Sequence, residues 1–359
     1  MSQTMQAIVN HGPYDYRLER AEIPRPKGSE LVIRVEACGI CASDVKCWSG
    51  ADMFWGNDEQ PAYVEGPVIP GHEFVGRITE VGPDHTRFAV GDRVIAEQIV
   101  PCEACDYCER GQYWMCERHH IFGFQDSVNG GMAEYMRFPE NARLHAVPDD
   151  LPLDKAVLIE PFACSMHAVE RADIQLDDTV VISGAGTLGL GMVGIAKLKS
   201  PRKLIVLDMN DDRLARAEAF GADLTLNPTR DDVVARILAE TRGYGCDVYI
   251  EASGAPASVR QGLNAIRKLG RFVEFSVFGE PVLADWSIIG DRKELDLLGA
   301  HLGPYCYPAT IEGIASGAIP TNGLVTHRLP LSEFEQGFKM VKEGKDTLKV
   351  VLIPGTDAS

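Results

Sequence analysis

The 359 residues exceed the size at which a single hydrophobic core usually stops growing, so we expect two domains. With 35 basic and 52 acidic side chains, the net charge of −17 disfavours nucleic acid and anionic membrane surfaces as partners. Residues 1–10 lack the basic and apolar regions of a secretion signal, and no apolar run approaches the length of a membrane span, about 18 residues. We therefore expect a cytoplasmic protein.

The first part of the chain, from 5 to about 148, contains short apolar runs separated by Gly, Pro and Asp. This pattern predicts strands and turns. The clearest predicted strands are 31–37, 74–81 and 93–96. We assign 1–165 to a first domain that is completed by about 298–359, where an apolar run at 348–353 predicts a strand that rejoins it.

The middle of the chain, 166–297, has a different pattern, in which apolar strands and helices alternate. The predicted strands are 180–183, 204–208, 248–252 and 272–275. The predicted helices are 190–199, 211–219, 231–240 and 257–268. Alternation of this kind builds a doubly wound parallel sheet, so the fold class is α/β with a mainly β first domain.

Ten cysteines in a chain without a secretion signal favour metal ligation or catalysis over disulfides. Four of them lie close together on a loop, at Cys102, Cys105, Cys108 and Cys116. Four thiolates can complete a tetrahedral shell around zinc, with bonds of about 2.3 Å. We predict a structural zinc site. The alternatives are four unrelated cysteines or an iron–sulfur cluster, which usually has other spacings.

A glycine-rich turn connects the first strand of the α/β domain to a helix. Its residues are Gly184, Gly186, Thr187, Leu188 and Gly189, in the order G-x-G-T-L-G. Glycines at such a turn let backbone N–H groups approach a pyrophosphate at the helix N-terminus. The turn therefore predicts a dinucleotide site.

Asp208 ends the next predicted strand, where a carboxylate can accept hydrogen bonds from ribose hydroxyls and would repel a 2′-phosphate. NAD is therefore predicted rather than NADP. Arg213 argues in the other direction, because a nearby guanidinium can help to bind the 2′-phosphate of NADP. The alternative roles of Asp208 are a helix N-cap or a solvated loop residue.

A further set of residues is spread along the chain, at Cys41, Ser43, Asp44, His72, Glu73 and Glu160. Cys41 and His72 are good zinc ligands, and a glutamate can complete a set that leaves one position open, as catalytic zinc requires. Three of these features also have simpler explanations. Cys38 and Cys41 can be a redox pair, His72 can belong to the core, and Glu160 before a proline can mark a helix boundary.

Taken together, these segments resemble the zinc-containing medium-chain dehydrogenases, and most closely their sorbitol and related polyol dehydrogenase branch. The matching segments are 38–44, 71–76, 91–94, the four-cysteine loop, 160–161 and 184–189. The resemblance covers nearly the whole chain. It implies a GroES-like catalytic domain and a Rossmann NAD-binding domain, with the active site in the cleft between them. Glu160 stands where liver-type enzymes have a cysteine ligand, which points to the polyol branch.

The resemblance also implies roles for the site residues. Cys41, His72 and either Glu73 or Glu160 would hold the catalytic zinc, and the choice of glutamate stays open. Ser43 would relay the substrate proton, and Asp44 would fix the tautomer of His72.

Two features depart from many relatives. Lys46 stands where the proton relay often has a histidine. The segment 47–70 is several residues longer than in many relatives. Its aromatic residues form either a wall or lid of the substrate pocket or a small cluster on a surface loop. These aromatic residues are Trp48, Phe54, Trp55 and Tyr63.

The resemblance thus implies an NAD-dependent dehydrogenase with one catalytic and one structural zinc per chain. We expect it to oxidise a secondary hydroxyl of a short acyclic polyol to a ketose, with erythritol and threitol as the predicted substrates. The alternatives are a threonine-type or simple alcohol dehydrogenase, and a non-catalytic NAD-binding module. The expected partners are a small-molecule alcohol or polyol and further copies of the chain, in a homotetramer or dimer.

Overall fold

A computed structural model describes residues 3–279 and 281–356 of the chain. The chain divides into two compact units. Unit 1 comprises Met1–Glu160, Tyr307–Ala315 and Thr321–Ser359, and unit 2 comprises Pro161–Cys306 and Ser316–Pro320. The boundaries expected from the sequence, 165 and 297, lie close to these divisions at 160 and 306.

The strands of the described residues follow in chain order. They are β1 (Thr4–Gly12), β2 (Asp15–Glu22), β3 (Leu31–Gly39), β4 (Glu73–Val81), β5 (Arg93–Ala96), β6 (Ile99–Val100), β7 (His120–Ile121), β8 (Tyr135–Phe138), β9 (Leu144–Ala146), β10 (Thr179–Ser183), β11 (Lys203–Leu207), β12 (Leu224–Leu226), β13 (Cys246–Glu251), β14 (Ile266–Glu274), β15 (Asp296–Gly299), β16 (Val325–Leu329) and β17 (Lys349–Leu352).

The helices are mostly short in unit 1 and longer in unit 2. They are α1 (Ala42–Trp48), α2 (Asp52–Trp55), α3 (Asp106–Glu109), α4 (Leu153–Ala156), α5 (Ile159–Arg171), α6 (Thr187–Leu198), α7 (Asp211–Ala219), α8 (Val233–Glu240), α9 (Pro256–Ala265), α10 (Tyr307–Ser316) and α11 (Phe334–Glu343). None of the helices in the described part of the chain is both long and apolar enough to cross a bilayer.

The main sheet of unit 1 has the order β16-β17-β3-β4-β5-β9, and β8 also pairs with β3. Its last strand in the chain, β17, pairs antiparallel with β3 through Val351↔Gly39 and Leu352↔Cys38. The expected return of the final strand to the first domain is confirmed. This pairing brings the start of β17 to the end of β3, two residues before Cys41.

The sheet of unit 2 is entirely parallel, with the order β12-β11-β10-β13-β14-β15. Counted from the first strand of the unit, this is the Rossmann strand order. Strand β10 therefore has β11 on one side and β13 on the other, and the glycine-rich turn follows directly from its carboxyl end. The predicted α/β fold class is confirmed.

One predicted helix of unit 2 is too long. The pattern predicts a helix over 257–268, but α9 ends at Ala265 and β14 begins at Ile266. The ammonium group of Lys293 donates hydrogen bonds to the carbonyls of Leu263, Asn264 and Ile266, at 2.7, 3.0 and 2.6 Å. These bonds satisfy carbonyls at the helix end, a long-range stop signal that the local pattern does not contain.

Candidate metal centres and dinucleotide site

The four-cysteine loop of unit 1 brings its sulfur atoms together. The Sγ atoms of Cys102, Cys105, Cys108 and Cys116 all lie within 4.8 Å of one another. Cys105 is the N-cap residue of the short helix α3, so the helix turns Cys108 back towards it, with an Sγ–Sγ distance of 3.5 Å. The predicted grouping of these residues agrees with the geometry.

The backbone around this loop favours a thiolate at Cys105. Hydrogen bonds from the backbone N–H groups of Glu117 and Cys108 lower the pKa of Cys105 to about 6. A further N–H, that of Cys102, donates to the Sγ of Cys116 at 3.3 Å. Four sulfur ligands with backbone donors aimed at them fit a closed structural zinc site.

A second cluster of ligand atoms lies at one end of the main sheet of unit 1. It comprises Cys41, His72 and Glu73, whose ligand atoms also lie within 4.8 Å of one another. Cys41 is the N-cap residue of α1, and Glu73 is the first residue of β4. All ten cysteines are free, so Cys41 forms no redox disulfide in this structure. Sulfur, imidazole and carboxylate together are a donor set that suits zinc with an open position.

Two neighbours surround the imidazole of His72. Its Nδ1 lies 3.5 Å from Oδ1 of Asp44, and its Nε2 lies 3.5 Å from Oγ of Ser43. Both distances are longer than a well-formed hydrogen bond. The other oxygen of Asp44 accepts a hydrogen bond of 2.8 Å from the backbone N–H of Cys41. Asp44 therefore contacts both zinc-ligand candidates, as a residue that orients them should.

The buried carboxylate of Glu73 has a cationic partner that the sequence analysis missed. The ammonium group of Lys349, at the start of β17, donates to both oxygens of Glu73, at 2.7 and 2.6 Å. Both side chains are at most 5% exposed. Burial alone would lower the pKa of Lys349, but the charges of Glu73 and Cys41 outweigh it and raise the pKa. Lys349 therefore stays charged and balances Glu73.

The close approach of Glu73 depends on a glycine. A Cβ atom at Gly39 would lie only 2.1 Å from Oε2 of Glu73, so any larger residue would displace the carboxylate. Gly39 is the last residue of β3 and pairs with Glu73 in the sheet. Close packing against Glu73 thus explains why position 39, within the C-G-I-C segment, is a glycine.

Glu160 lies in a different environment. Its Oε1 accepts a hydrogen bond of 2.5 Å from Nε2 of Gln98, and Oε1 of Gln98 accepts one of 2.8 Å from the hydroxyl of Tyr307. Glu160 is buried. The cluster of three ligand atoms thus contains Glu73, whereas Glu160 is held by a separate chain of polar side chains.

Aromatic residues of the 47–70 segment pack next to the cluster of Cys41, His72 and Glu73. Phe54 stacks on Phe124, with ring centroids 5.2 Å apart, and Phe124 stacks on His72 at 5.7 Å. Tyr63 contacts both phenylalanines, at 6.4 and 5.7 Å. We call Phe54, Tyr63 and Phe124 the aromatic wall. Trp48 instead belongs to the hydrophobic core, and Phe124 was missed because it lies outside the segment.

The glycine-rich turn of unit 2 has the geometry of a phosphate cradle. Gly186 is the N-cap residue of α6. A Cβ atom at Gly189 would lie 1.9 Å from the carbonyl oxygen of Gly184, so this glycine lets the helix pack against the turn. At Gly186, in contrast, a Cβ atom would meet nothing within 4 Å. The chain itself gives no steric reason for glycine at this position, which is where a bound phosphate would approach.

Asp208 follows β11 and is anchored to the turn. Its Oδ2 accepts a hydrogen bond from the backbone N–H of Ala185 at 2.8 Å, and its Oδ1 accepts one from Asn210 at 2.9 Å. The N-cap of α7 is Asn210, so Asp208 is not the cap. A guanidinium nitrogen of Arg213 lies 4.0 Å from Oδ2 of Asp208. Both predicted cofactor residues thus lie beside the turn.

Comparison with known proteins gives matches in both parts of the chain. Residues 27–149 match the family model "Alcohol dehydrogenase GroES-like domain", and residues 187–316 match "Zinc-binding dehydrogenase". The erythritol/L-threitol dehydrogenase of Mycolicibacterium smegmatis is 54% identical over 98% of both chains. The L-threonine 3-dehydrogenase of Pyrococcus horikoshii is 32% identical over 98% of this chain and 99% of its own.

A solved structure shows the same similarity. A zinc-binding dehydrogenase from Sinorhizobium meliloti 1021, bound to NADP, superposes with a TM-score of 0.87 and 28% identity, over 98% of this chain and 100% of its own.

We predict that Lys349→Met lowers the free energy of unfolding by about 3–5 kcal/mol, because it leaves the buried charge of Glu73 uncompensated. Chemical denaturation followed by circular dichroism measures this. The loss should grow after chelation of metal, since no cation then faces Glu73. Lys339→Met is the control, because Lys339 is exposed and pairs with Glu335 only four residues away. An equal, small effect of both substitutions would contradict the prediction.

We also predict that Cys105→Ser and Cys41→Ser each remove one zinc per chain, with different consequences. Cys105→Ser should lower the melting temperature, because the loop loses its cross-link. Cys41→Ser should reduce turnover more than about 100-fold with a smaller change in stability. Metal analysis, melting curves and kinetics of both variants provide the comparison. If the two phenotypes are exchanged, the roles assigned to the two clusters are wrong.

Proposed function

The chain belongs to the zinc-containing medium-chain dehydrogenase family, and on this premise we propose that it oxidises a secondary hydroxyl of a short acyclic polyol, with NAD as the hydride acceptor. The observation that carries the proposal is the 54% identity over 98% of both chains to an erythritol/L-threitol dehydrogenase. Erythritol and threitol are accordingly the substrates we propose, with a ketose as the product.

We assign the catalytic metal to Cys41, His72 and Glu73. These residues would hold a zinc ion, which when bound would supply Lewis acidity for ionising the substrate hydroxyl. Glu73 is the glutamate we favour as the direct ligand, because its carboxylate lies in the cluster of ligand atoms with Cys41 and His72. The four-cysteine loop is assigned to a structural zinc.

The proton of the substrate hydroxyl leaves through Ser43. Its Oγ faces Nε2 of His72 at 3.5 Å, so the hydroxyl is next to the proposed metal position. Lys46 lies one turn further along α1 and is half-buried, and burial lowers its pKa. We give its ammonium group the outer place in the relay, in place of the usual histidine, where it can pass a proton to water while Ser43 resupplies it.

Preference for a polyol follows from the polar groups near the site. Glu160 and Gln98 form a buried hydrogen-bonded pair in the same unit as the zinc ligands. We propose that a second hydroxyl of the substrate joins this pair. A simple alcohol lacks that hydroxyl and forgoes the additional hydrogen bond, whose net contribution is about 0.5–1.5 kcal/mol, or up to about 3 kcal/mol where one partner is charged.

The preference for a short chain rests on the aromatic wall. Phe124 stacks directly on the His72 ring and is itself backed by Phe54, so the space on this side of His72 is filled by aromatic carbon. Extended polyols with further hydroxyls would have to place polar groups against these rings, which disfavours six-carbon substrates.

NAD is the cofactor we propose, held at the glycine-rich turn of unit 2. Asp208 has lone pairs beyond the two backbone hydrogen bonds that it accepts, so it can still receive ribose hydroxyls. Its charge opposes a 2′-phosphate, whereas Arg213 would attract one. The family resemblance also supports a cytoplasmic homo-oligomer, a dimer or tetramer, whose mass light scattering would measure.

We predict that the catalytic efficiency kcat/KM is highest for erythritol or threitol in a panel with xylitol, sorbitol, L-threonine and ethanol. NADH formation followed by absorbance measures each value. The catalytic efficiency with ethanol should fall about 10-fold below that with the best substrate, because ethanol has no second hydroxyl to hydrogen-bond to Glu160 and Gln98. A maximum with L-threonine would favour the threonine-type alternative, and no activity with any alcohol would favour the non-catalytic one.

The same assay tests the aromatic wall. Phe54→Ala should raise the efficiency with xylitol and sorbitol relative to erythritol, by about 10-fold, because it frees space behind Phe124. Phe88→Ala is a control, since Phe88 is a phenylalanine of the same unit that contacts His85 and Arg87 rather than the wall. Unchanged relative efficiencies in Phe54→Ala would show that the wall does not set substrate length.

We predict that wild-type kcat/KM with NAD exceeds that with NADP, and that Asp208→Ala narrows the ratio by about 10-fold or more. The reason is that the substitution removes both a ribose acceptor and a repulsive charge. Arg213→Ala is the matched variant and should widen the ratio. Equal use of both cofactors by the wild-type protein would contradict the assignment of Asp208.

A further inference from the structure

Unit 2 contains a cluster of ligand-type side chains outside the two clusters of unit 1. His167 and Glu170 lie on α5, and Cys306 is the residue immediately before α10. The ligand atoms of the three residues all lie within 4.8 Å of one another. We propose that His167, Glu170 and Cys306 form a third zinc site.

The spacing of the three residues suits a metal. His167 and Glu170 are three residues apart on one helix, so their side chains share a face, as in the Glu-x-x-His pairs of helical metal proteins. Cys306 approaches this face from a separate segment, and its Sγ lies 3.5 Å from Oε2 of Glu170. A tetrahedral zinc with bonds of about 2.3 Å to sulfur and about 2.1 Å to oxygen requires a separation of about 3.6 Å.

The chemistry and charge of the cluster also suit a divalent cation. An imidazole nitrogen and a cysteine sulfur are the ligands that zinc prefers in proteins. The neighbouring guanidinium of Arg171 donates to the carbonyl of Gly299 at 3.0 Å. A thiolate at Cys306 and the carboxylate of Glu170 together balance the two charges of zinc. The site also lies in the last turn of α5, where the helix dipole favours a cation.

The burial pattern predicts an exchangeable ion. His167 and Cys306 are buried, whereas Glu170 is exposed. Solvent can therefore reach the site from the side of Glu170, and three protein ligands leave one position for water. We accordingly expect weaker zinc binding here than at the closed four-cysteine loop. The bound ion would tie the end of α5 to the segment before α10.

The proposal is tested by equilibrium dialysis of the zinc-loaded protein against low-micromolar free zinc. Metal analysis then gives the number of zinc ions bound per chain. Wild-type protein should bind one zinc per chain more than Cys306→Ala. Cys246→Ala is the matched control, because Cys246 is another buried cysteine of unit 2, in β13. It should bind as much zinc as the wild type. Equal zinc content in Cys306→Ala and Cys246→Ala would overturn the proposal.

A second measurement covers the case in which Cys306→Ala fails to fold. Glu170→Gln changes an exposed residue and should weaken the extra zinc at least about 10-fold. Titration of the zinc-loaded protein with cadmium, followed by thiolate-to-metal absorption, gives this affinity. Added zinc should also raise the melting temperature of the wild type by a few degrees, and that of Glu170→Gln by less at the same zinc concentration. Identical cadmium affinity and identical melting shifts in both proteins would refute the site.

Discussion

The buried ion pair between Lys349 and Glu73 is the interaction on which the cluster of Cys41, His72 and Glu73 depends. It joins the start of β17 to the start of β4, across 276 residues of sequence, and the intervening strand β3 leads to Cys41. Without a cation, a carboxylate as buried as Glu73 would be strongly disfavoured. Lys349 therefore makes it possible for a charged ligand to occupy the end of the sheet, and the sheet register fixes where that ligand points.

Glycines serve two different purposes around the functional sites. Gly39 and Gly189 are required by the protein itself, because a side chain would collide with Glu73 in one case and with the backbone of Gly184 in the other. A Cβ atom at Gly186 would meet nothing within 4 Å, so no packing contact in the described residues requires a glycine there. The glycines of one sequence motif can therefore be required for different reasons, and the structure shows which of them are required by packing.

Local patterns were enough to predict most of the fold and part of the site. The helix 211–219 and the strand 93–96 agree with α7 and β5 at both ends, because their signals are local, including the N-cap Asn210 that directly precedes α7. The four-cysteine loop is local in the same sense. Lys349, Gln98 and Phe124 could not be predicted, since each meets its partner through sheet pairing or side-chain packing over long sequence distances. The end of α9 was missed for the same reason, because Lys293 comes from a later segment.

The two zinc-type clusters of unit 1 differ in charge as well as in openness, and this difference suits their proposed roles. Four thiolates more than neutralise a divalent cation and fill its coordination shell, so such an ion retains little capacity as a Lewis acid. At the other cluster, Lys349 cancels the charge of Glu73, which leaves Cys41 as the uncompensated anion. A divalent ion bound there would keep net positive charge and, with three protein ligands, one open position. The ammonium group of Lys349 thus stabilises Glu73 and would limit how far the ligands weaken the Lewis acidity of such a metal.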